Sequence, residues 1–264
     1  MQLPISATLS PSLDVLAEAG STNDVLVARA ADLPDLAVVV TANQTAGRGR
    51  LGRTWVAPAG RSLAISVLLR PRLPAGEPLA LEHFGWLPLM AGLAMTRAVM
   101  PHATGRVGLK WPNDVQVEGR KVSGLLAELL PTGDAVVLGA GVNLALTADE
   151  LPTPVSTSLL LEGSELVGDE LADAVLSAYL RELRSLVDGF LHLGADADAS
   201  GVLEAVSTAC TTLGQEVRVE LPGGELLRGT AIAIDRSGRL VVRRSSDGQD
   251  TPVAAGDVTH VRYE

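Results

Sequence analysis

The chain has 264 residues, enough for one large domain and a small one, and its 47% apolar content is ample for a buried core. A formal net charge of −10 argues against general binding of a nucleic-acid backbone, which needs a basic face to displace counterions. The start MQLPISATLSPSLDVL lacks a basic segment followed by an apolar run, and no stretch approaches the roughly eighteen apolar residues of a membrane span, so a protein neither exported nor membrane-spanning is expected. Cys210, the single cysteine, permits no intrachain disulfide and reads as a small core residue.

Residues 21–31 read as a helix capped by Ser21 or Thr22, with Asp24 as a weaker capping-box partner. LAVVV at 36–40 and SLAISVLLR at 62–70 are β-rich runs separated by a glycine–arginine segment. A long apolar helix is predicted over 79–100. VGLKW and DVQV then precede the turn signal Glu118-Gly119, and KVSGLLAELL and AVVLGAGVNLAL supply further strands. Residues 168–192 and 199–210 carry apolar side chains at helical spacing. From Glu216 the pattern changes to short strands, EVRVEL, LLRGTAIAI, RLVVRR and VTHVRY, broken by glycine turns, which suggests a small barrel. The expected class is α+β: a mixed, largely antiparallel sheet packed with helices over 1–212, and a small C-terminal β-barrel over 213–264.

Gly47-Arg48-Gly49-Arg50-Leu51-Gly52 satisfies G-x-G-x-x-G, and Gly47 through Thr54 would be a P-loop were Arg53 a lysine. Both matches fail on context. Each needs a helix that starts at the loop and receives phosphate at its N-terminus, whereas Trp55-Val56-Ala57-Pro58 leads into another strand. What is left is a mobile glycine-rich loop presenting Arg48, Arg50 and Arg53, suited to closing over phosphates and carboxylates through bidentate hydrogen bonds. The plain alternative is a solvated surface loop.

A second constellation brings Asn113-Asp114 near Lys121 across a hairpin. Adenylation of a carboxylic acid needs cations around the α-phosphate, and a carboxylate that holds Mg²⁺ or takes a proton from a later nucleophile. A hairpin salt bridge between Asp114 and Lys121 would use the same residues with no chemistry at all.

STND at 21–24, QTAGRGRLGRTW at 44–55, KWPND at 110–114, RKVSGLLAE at 120–128 and GAGVN at 139–143 resemble, in order, the motifs of biotin protein ligases. The resemblance covers the whole chain and implies a catalytic domain of the biotin/lipoate ligase type with an SH3-like C-terminal barrel. It implies ATP and biotin as substrates, Mg²⁺ as metal, and transfer of biotin to a lysine of a biotin carboxyl carrier domain. Carried over motif by motif, Ser21, Thr22, Asn23 and Gln44 contact the ureido ring, whose carbonyl and N–H groups need matched partners. Arg48, Gly49 and Arg50 belong to the loop that folds over biotin and adenylate. Lys121 meets the biotin carboxylate and α-phosphate, and Gly124 permits close backbone approach. Arg50, Arg53, Trp55, Asn113 and Asn143 line the ATP side, with Asp114 as metal ligand or proton acceptor. The catalytic set is then Lys121, Asp114 and Arg50. The C-terminal domain is expected beside the nucleotide and the carrier, with Arg262 near its end in reach of the site.

Only about twenty residues precede Ser21, too few for the winged helix-turn-helix of family members that double as repressors. A cytoplasmic, short-form ligase without nucleic-acid or membrane partners is therefore expected, with a homodimer left open. The competing readings are a lipoate-type ligase of the same fold and a non-catalytic vitamin-binding regulator. GRGRLGR and KWPND weigh against the first, and retention of Lys121, Asp114 and the three loop arginines against the second.

Overall fold

The structure is a computed structural model that describes residues 1–220 and 226–254, with the backbone of 260–263. The chain runs β1 (Leu13–Leu16), α1 (Thr22–Arg29), β2 (Val38–Thr41), β3 (Gly47–Arg48), β4 (Thr54–Trp55), β5 (Ser62–Leu69), α2 (Trp86–Val99), β6 (Val107–Lys110), β7 (Asp114–Val117), β8 (Arg120–Leu129) and β9 (Val136–Asn143). It continues through α3 (Gly168–His192), α4 (Val202–Ala209), β10 (Glu216–Glu220), β11 (Leu226–Ile234), β12 (Leu240–Arg244), β13 (Asp250–Val253) and β14 (His260–Tyr263).

A seven-stranded sheet has the order β1-β2-β5-β9-β8-β7-β6. Only the β1–β2 pair is parallel, and every other neighbour is antiparallel. Because side chains alternate along a strand, each strand serves two faces. Leu138, Ala140 and Val142 of β9 join the main core with Trp86 and Leu93 of α2 and Tyr179 and Phe190 of α3. Val137 packs on the opposite face with Leu26 of α1, Ala30 just after it, Val39 and Leu68. The same face of β9 carries Gly139, Gly141 and Asn143, which line a cavity beside α1.

Strands β10 to β14 form a second, five-stranded antiparallel sheet in the order β13-β12-β11-β10-β14. Its core residues, among them Val219, Leu227 and Leu240, are continuous with the main core. Two tryptophan N–H groups fasten it: Trp86 Nε1 donates to the Arg236 carbonyl at 3.0 Å, and Trp111 Nε1 to that of Gly238 at 3.2 Å. Since Trp111 stands just before Asn113-Asp114, the small sheet braces the strand that bears the candidate carboxylate.

Five elements differ from the sequence expectation. The apolar helix begins at Trp86, not at 79, after a short 3₁₀ turn at Leu81–His83. Pro88 explains the late start, since its ring tolerates only the first turn of a helix. Strands β1 and β13 were not expected, and the glycine–arginine segment, read as a loop, pairs with itself as β3 and β4. Arg262 lies outside the described side chains.

Candidate functional site

The cavity measures about 890 Å³ and lies between the α1 end of the sheet, the β3–β4 hairpin and the β7–β8 hairpin. Its floor is built from cross-strand rows of small residues. Asp114 pairs with Gly124, Gly124 with Gly141 and Gly141 with Ala64; two residues along, Leu126 pairs with Gly139 and Gly139 with Ser66. A Cβ on Gly141 would sit 2.4 Å from the Trp55 ring, and one on Gly139 would sit 2.4 Å from Asn23 Oδ1. The missing side chains are therefore what lets Trp55 and Asn23 lie against the sheet.

At the α1 end, Ser21 is the helix N-cap, and its hydroxyl oxygen accepts from Asp24 N–H at 3.4 Å. This uses a lone pair and leaves the hydroxyl proton able to donate elsewhere. Asp24 does not return the bond as a capping-box partner; its carboxylate meets Arg48 instead. Gln44 Oε1 accepts from Thr22 N–H at 2.9 Å. Ser66 Oγ donates its one proton to Asn23 Oδ1 at 2.6 Å, so in its 2.8 Å contact with Thr22 Oγ1 the Thr22 hydroxyl is the donor. Asn23 Nδ2 donates to Glu128 Oε2 at 2.7 Å. Ser21, Thr22 and Asn23 are buried, so this end is a small, polar, internally bonded recess.

The glycine–arginine segment forms a short hairpin, with Gly47 opposite Trp55 and Arg48 opposite Thr54. A side chain at Gly47 would strike Gln44 Nε2 at 2.4 Å, and Gly52 takes the left-handed turn at φ +71°. Arg48 binds Asp24 and Glu128, the second at 2.9 Å, and so ties the hairpin to α1 and β8. Arg50 donates to Asn113 Oδ1 at 3.2 Å. Burial pulls the Arg50 guanidinium below its ordinary value, partly offset by Asp114, while Arg53 adds to the lowering. Arg53 and Gly49 also line the cavity.

Lys121 Nζ lies 2.7 Å from Asp114 Oδ1 and 5.7 Å from the centre of the Trp55 ring. Residues three apart on a regular strand face opposite ways, yet Lys121 and Gly124 share the cavity side. The cause is a β-bulge. Val115 pairs with Ser123 but Gln116 pairs with Lys121, so Val122 is an extra residue that reverses the alternation. The β7–β8 turn has both Glu118 (φ +48°) and Gly119 (φ +77°) left-handed, as a two-residue hairpin requires. Asn113 Nδ2 donates to Leu125 O at 3.0 Å, and Asn143 Nδ2 to Thr157 O at 2.9 Å.

Apart from Arg262, whose side chain lies outside those described, the residues expected from the sequence line one cavity: Ser21, Thr22, Asn23, Gln44, Arg48, Gly49, Arg50, Arg53, Trp55, Asn113, Asp114, Lys121, Gly124 and Asn143. The family model for biotin/lipoate A/B protein ligases matches residues 17–143, and that for the biotin protein ligase C-terminal domain matches 212–261. Over 259 residues the chain is 39% identical to the biotin–[acetyl-CoA-carboxylase] ligase of Mycobacterium tuberculosis, covering 95% of this chain and 89% of that one. The chain belongs to the biotin protein ligase family. The biotin protein ligase of Aquifex aeolicus, solved in complex with biotin and ATP, superposes with a TM-score of 0.73 at 27% identity, over 96% of this chain and 100% of that one. The Leishmania major biotin protein ligase, solved with biotinyl-5-AMP, has a TM-score of 0.59 at 28% identity, over 93% of this chain and 99% of that one.

Sequence reasoning missed several residues of this ligase cavity. Gly139 and Gly141 lie in a motif singled out, but their part in the floor went unread; glycines at alternate positions of a Val/Leu strand are the signal for close approach from one face. Gln116 on the cavity wall, and Ser66 and Glu128, which bond Asn23, went unread because their places follow from strand register.

Proposed function

We propose that this protein is an ATP-dependent biotin ligase that forms biotinyl-5′-adenylate and transfers biotin to a lysine of a biotin carboxyl carrier domain. The observation that carries the reading is one continuous cavity with a polar recess at one end, the Lys121–Asp114 pair on its floor and a triple-arginine hairpin along its edge. The recess of Ser21, Thr22, Asn23 and Gln44 suits a fused ureido ring. An apolar dithiolane there would face buried polar groups it could not satisfy.

In the first half-reaction a carboxylate oxygen of biotin bonds to the α-phosphorus of ATP. The bond to the β-phosphate oxygen breaks, and pyrophosphate leaves with the electron pair. Lys121 and Arg50 offset the charge that builds on the α-phosphate oxygens. Trp55, Arg53, Asn113 and Asn143 line the nucleotide side, while Arg48 and Gly49 hold the hairpin over the acyl group. Gly124 leaves room for both the Lys121 side chain and the ligand. In the second half-reaction the carrier ammonium loses one proton to Asp114, which contacts Lys121; its nitrogen bonds to the acyl carbon, the carbon–oxygen bond breaks, and AMP departs with the nitrogen's second proton released to water.

No cluster of three metal-ligating side chains occurs among the described residues. A lone carboxylate in the cavity nevertheless suits Mg²⁺, which binds through one or two carboxylates with phosphate and water completing its shell. Asp114 would hold it, and Mg²⁺ would screen the triphosphate charge. We divide the chain into a catalytic domain of 1–212 and a small C-terminal domain of 213–264 that braces the Trp111 segment. Among the described residues no helix is long and apolar enough to cross a membrane, and ATP dependence favours the cytoplasm. The test is mass spectrometry of a carrier domain incubated with the protein, biotin, ATP and Mg²⁺. A gain of one biotinyl group is expected, and an unchanged mass refutes the assignment.

A further inference from the structure

Glu162 is a buried carboxylate, 4% exposed, that does not line the cavity. Its side chain accepts the Thr157 hydroxyl and pairs with Arg120 Nη2 at 2.8 Å. Its backbone carbonyl accepts from Thr104 N and Oγ1 at 3.0 and 3.1 Å, so the residue is pinned to the body of the domain. Burying a carboxylate costs free energy that an ion pair often fails to return, and the best-attested use of such a group is to fix a register.

The register here is that of residues 155–157 along Lys121. Lys121 N–H donates to Val155 O and its carbonyl accepts from Thr157 N–H, each at 2.8 Å, the two bonds of a parallel bridge between Lys121 and Ser156. Thr157 O in turn accepts from Asn143 Nδ2 at 2.9 Å, and Leu159 N–H donates to Asn143 O at 3.0 Å. Thr157 thus holds Lys121 through its N–H and the Asn143 amide through its carbonyl. The bridge is isolated and not continued as a strand, so backbone pairing specifies its register weakly, and in Ser156-Thr157-Ser158 a slip of one residue replaces one hydroxyl by another. Each hydroxyl has its own partner: Ser156 Oγ lies 2.7 Å from Thr153 Oγ1, and Ser158 Oγ donates to Leu146 O at 2.7 Å. Of the three, Thr157 alone meets a charged acceptor, for which a hydrogen bond is about twice as strong as between neutral groups.

We propose that Glu162 is a positioning residue for the first half-reaction: by holding the Thr157 hydroxyl it fixes residues 155–157 against Lys121, and with them the spacing between Lys121 and Asn143. The cation at the α-phosphate and the amide on the nucleotide side are thereby kept in one alignment while the biotin carboxylate attacks. This rests on the ligase reading above.

The test uses the full chain carrying Thr157→Val, which keeps the side-chain shape and both backbone bonds but removes the hydroxyl. The double variant Thr157→Val/Glu162→Leu removes both partners and strands no buried charge, so it stays folded where the single variant does not. In both, kcat for pyrophosphate release from biotin and ATP should fall about tenfold or more, the effect of a small misplacement of reacting groups. The KM for biotin should stay within about twofold, because the recess of Ser21, Thr22, Asn23 and Gln44 shares none of these bonds. Thr157→Ser, which retains the hydroxyl, should restore kcat. Wild-type kcat in the double variant, whatever its Tm, would leave Glu162 a stabilising group only and overturn the proposal. A rise in the KM for biotin as large as the loss in kcat would overturn it too, as would a Thr157→Ser protein as slow as Thr157→Val. Failure of the wild-type protein itself to release pyrophosphate from biotin and ATP would instead overturn the ligase reading.

Discussion

Gly139→Ala tests how the polar recess is built. Gly139 has no positive φ, so alanine is compatible with its strand and restricts the unfolded chain, a gain of about 0.4–1 kcal/mol. The new Cβ, however, would lie 2.4 Å from Asn23 Oδ1 and 2.9 Å from both Cγ and Nδ2. Relief to an ordinary contact of 3.4 Å requires the Asn23 amide to move by about 1 Å. That amide is fixed at both ends, by Ser66 at 2.6 Å and by Glu128 at 2.7 Å, and a shift of this size takes both bonds out of range. The losses are about 0.5–1.5 kcal/mol for the neutral bond and about 1.5–3 kcal/mol for the one to a carboxylate. After the backbone gain the variant should be less stable by about 1–4 kcal/mol, which at about 2–4 °C per kcal/mol shows as a fall of several degrees in Tm. Because Asn23 adjoins Ser21 and Thr22, biotin binding measured by calorimetry should weaken by about tenfold or more. A Gly139→Ala protein with wild-type Tm and biotin affinity would refute this account of the recess.

Asp114→Asn should slow transfer from preformed adenylate by about a hundredfold or more, as expected for a lost proton acceptor; impairment confined to adenylate synthesis would leave Asp114 a metal role alone. Arg50→Gly removes the contact with Asn113 and one guanidinium from the hairpin, and should raise labelling of bystander lysines about tenfold at matched adenylation rates. Equal labelling by the two proteins would show that Arg50 does not retain the adenylate. At Asp173, burial would by itself raise the carboxyl pKa, but hydrogen bonds from Ser6 and Ile5 and the nearby Arg181 outweigh it, so the net direction is down. Its contribution to stability is then complete above about pH 4 and disappears as pH falls through the lowered value, so the Tm gap between wild type and Asp173→Asn should close on acidification from neutral pH; a gap independent of pH would refute it.

The large sheet was legible where strands carry strong apolar runs, as in β5 and β9, and helix α3 where Leu176, Tyr179, Leu180 and Leu183 keep helical spacing. Strand β1 escaped because LDVL is short and lies at the sheet edge, where only β2 pairs with it. Strand β13 escaped because Pro252 argues against a strand, an argument that holds for central strands but not for this edge. Helix α2 was placed too early because its apolar character extends upstream of the point at which Pro88 allows helix to begin.

For the site, residue identity was legible and geometry was not. Hairpin logic brings Asp114 near Lys121, and the two do meet at 2.7 Å. Strand alternation applied to β8 would nonetheless put Lys121 and Gly124 on opposite faces, because nothing in RKVSGLLAE marks Val122 as the bulged residue. The same limit explains Gln116: DVQV predicts that Asp114 and Gln116 share a face, but only the register shows that this is the cavity face and that Gln116 lies beside Lys121. Glu128 makes the point most fully. It is the last residue of a recognised motif, yet its carboxylate receives Asn23 from the recess and Arg48 from the hairpin, residues 105 and 80 positions away. Contacts of that span are set by how α1, β8 and the β3–β4 hairpin pack together, so the link between the recess and the hairpin is a property of the fold rather than of any one motif.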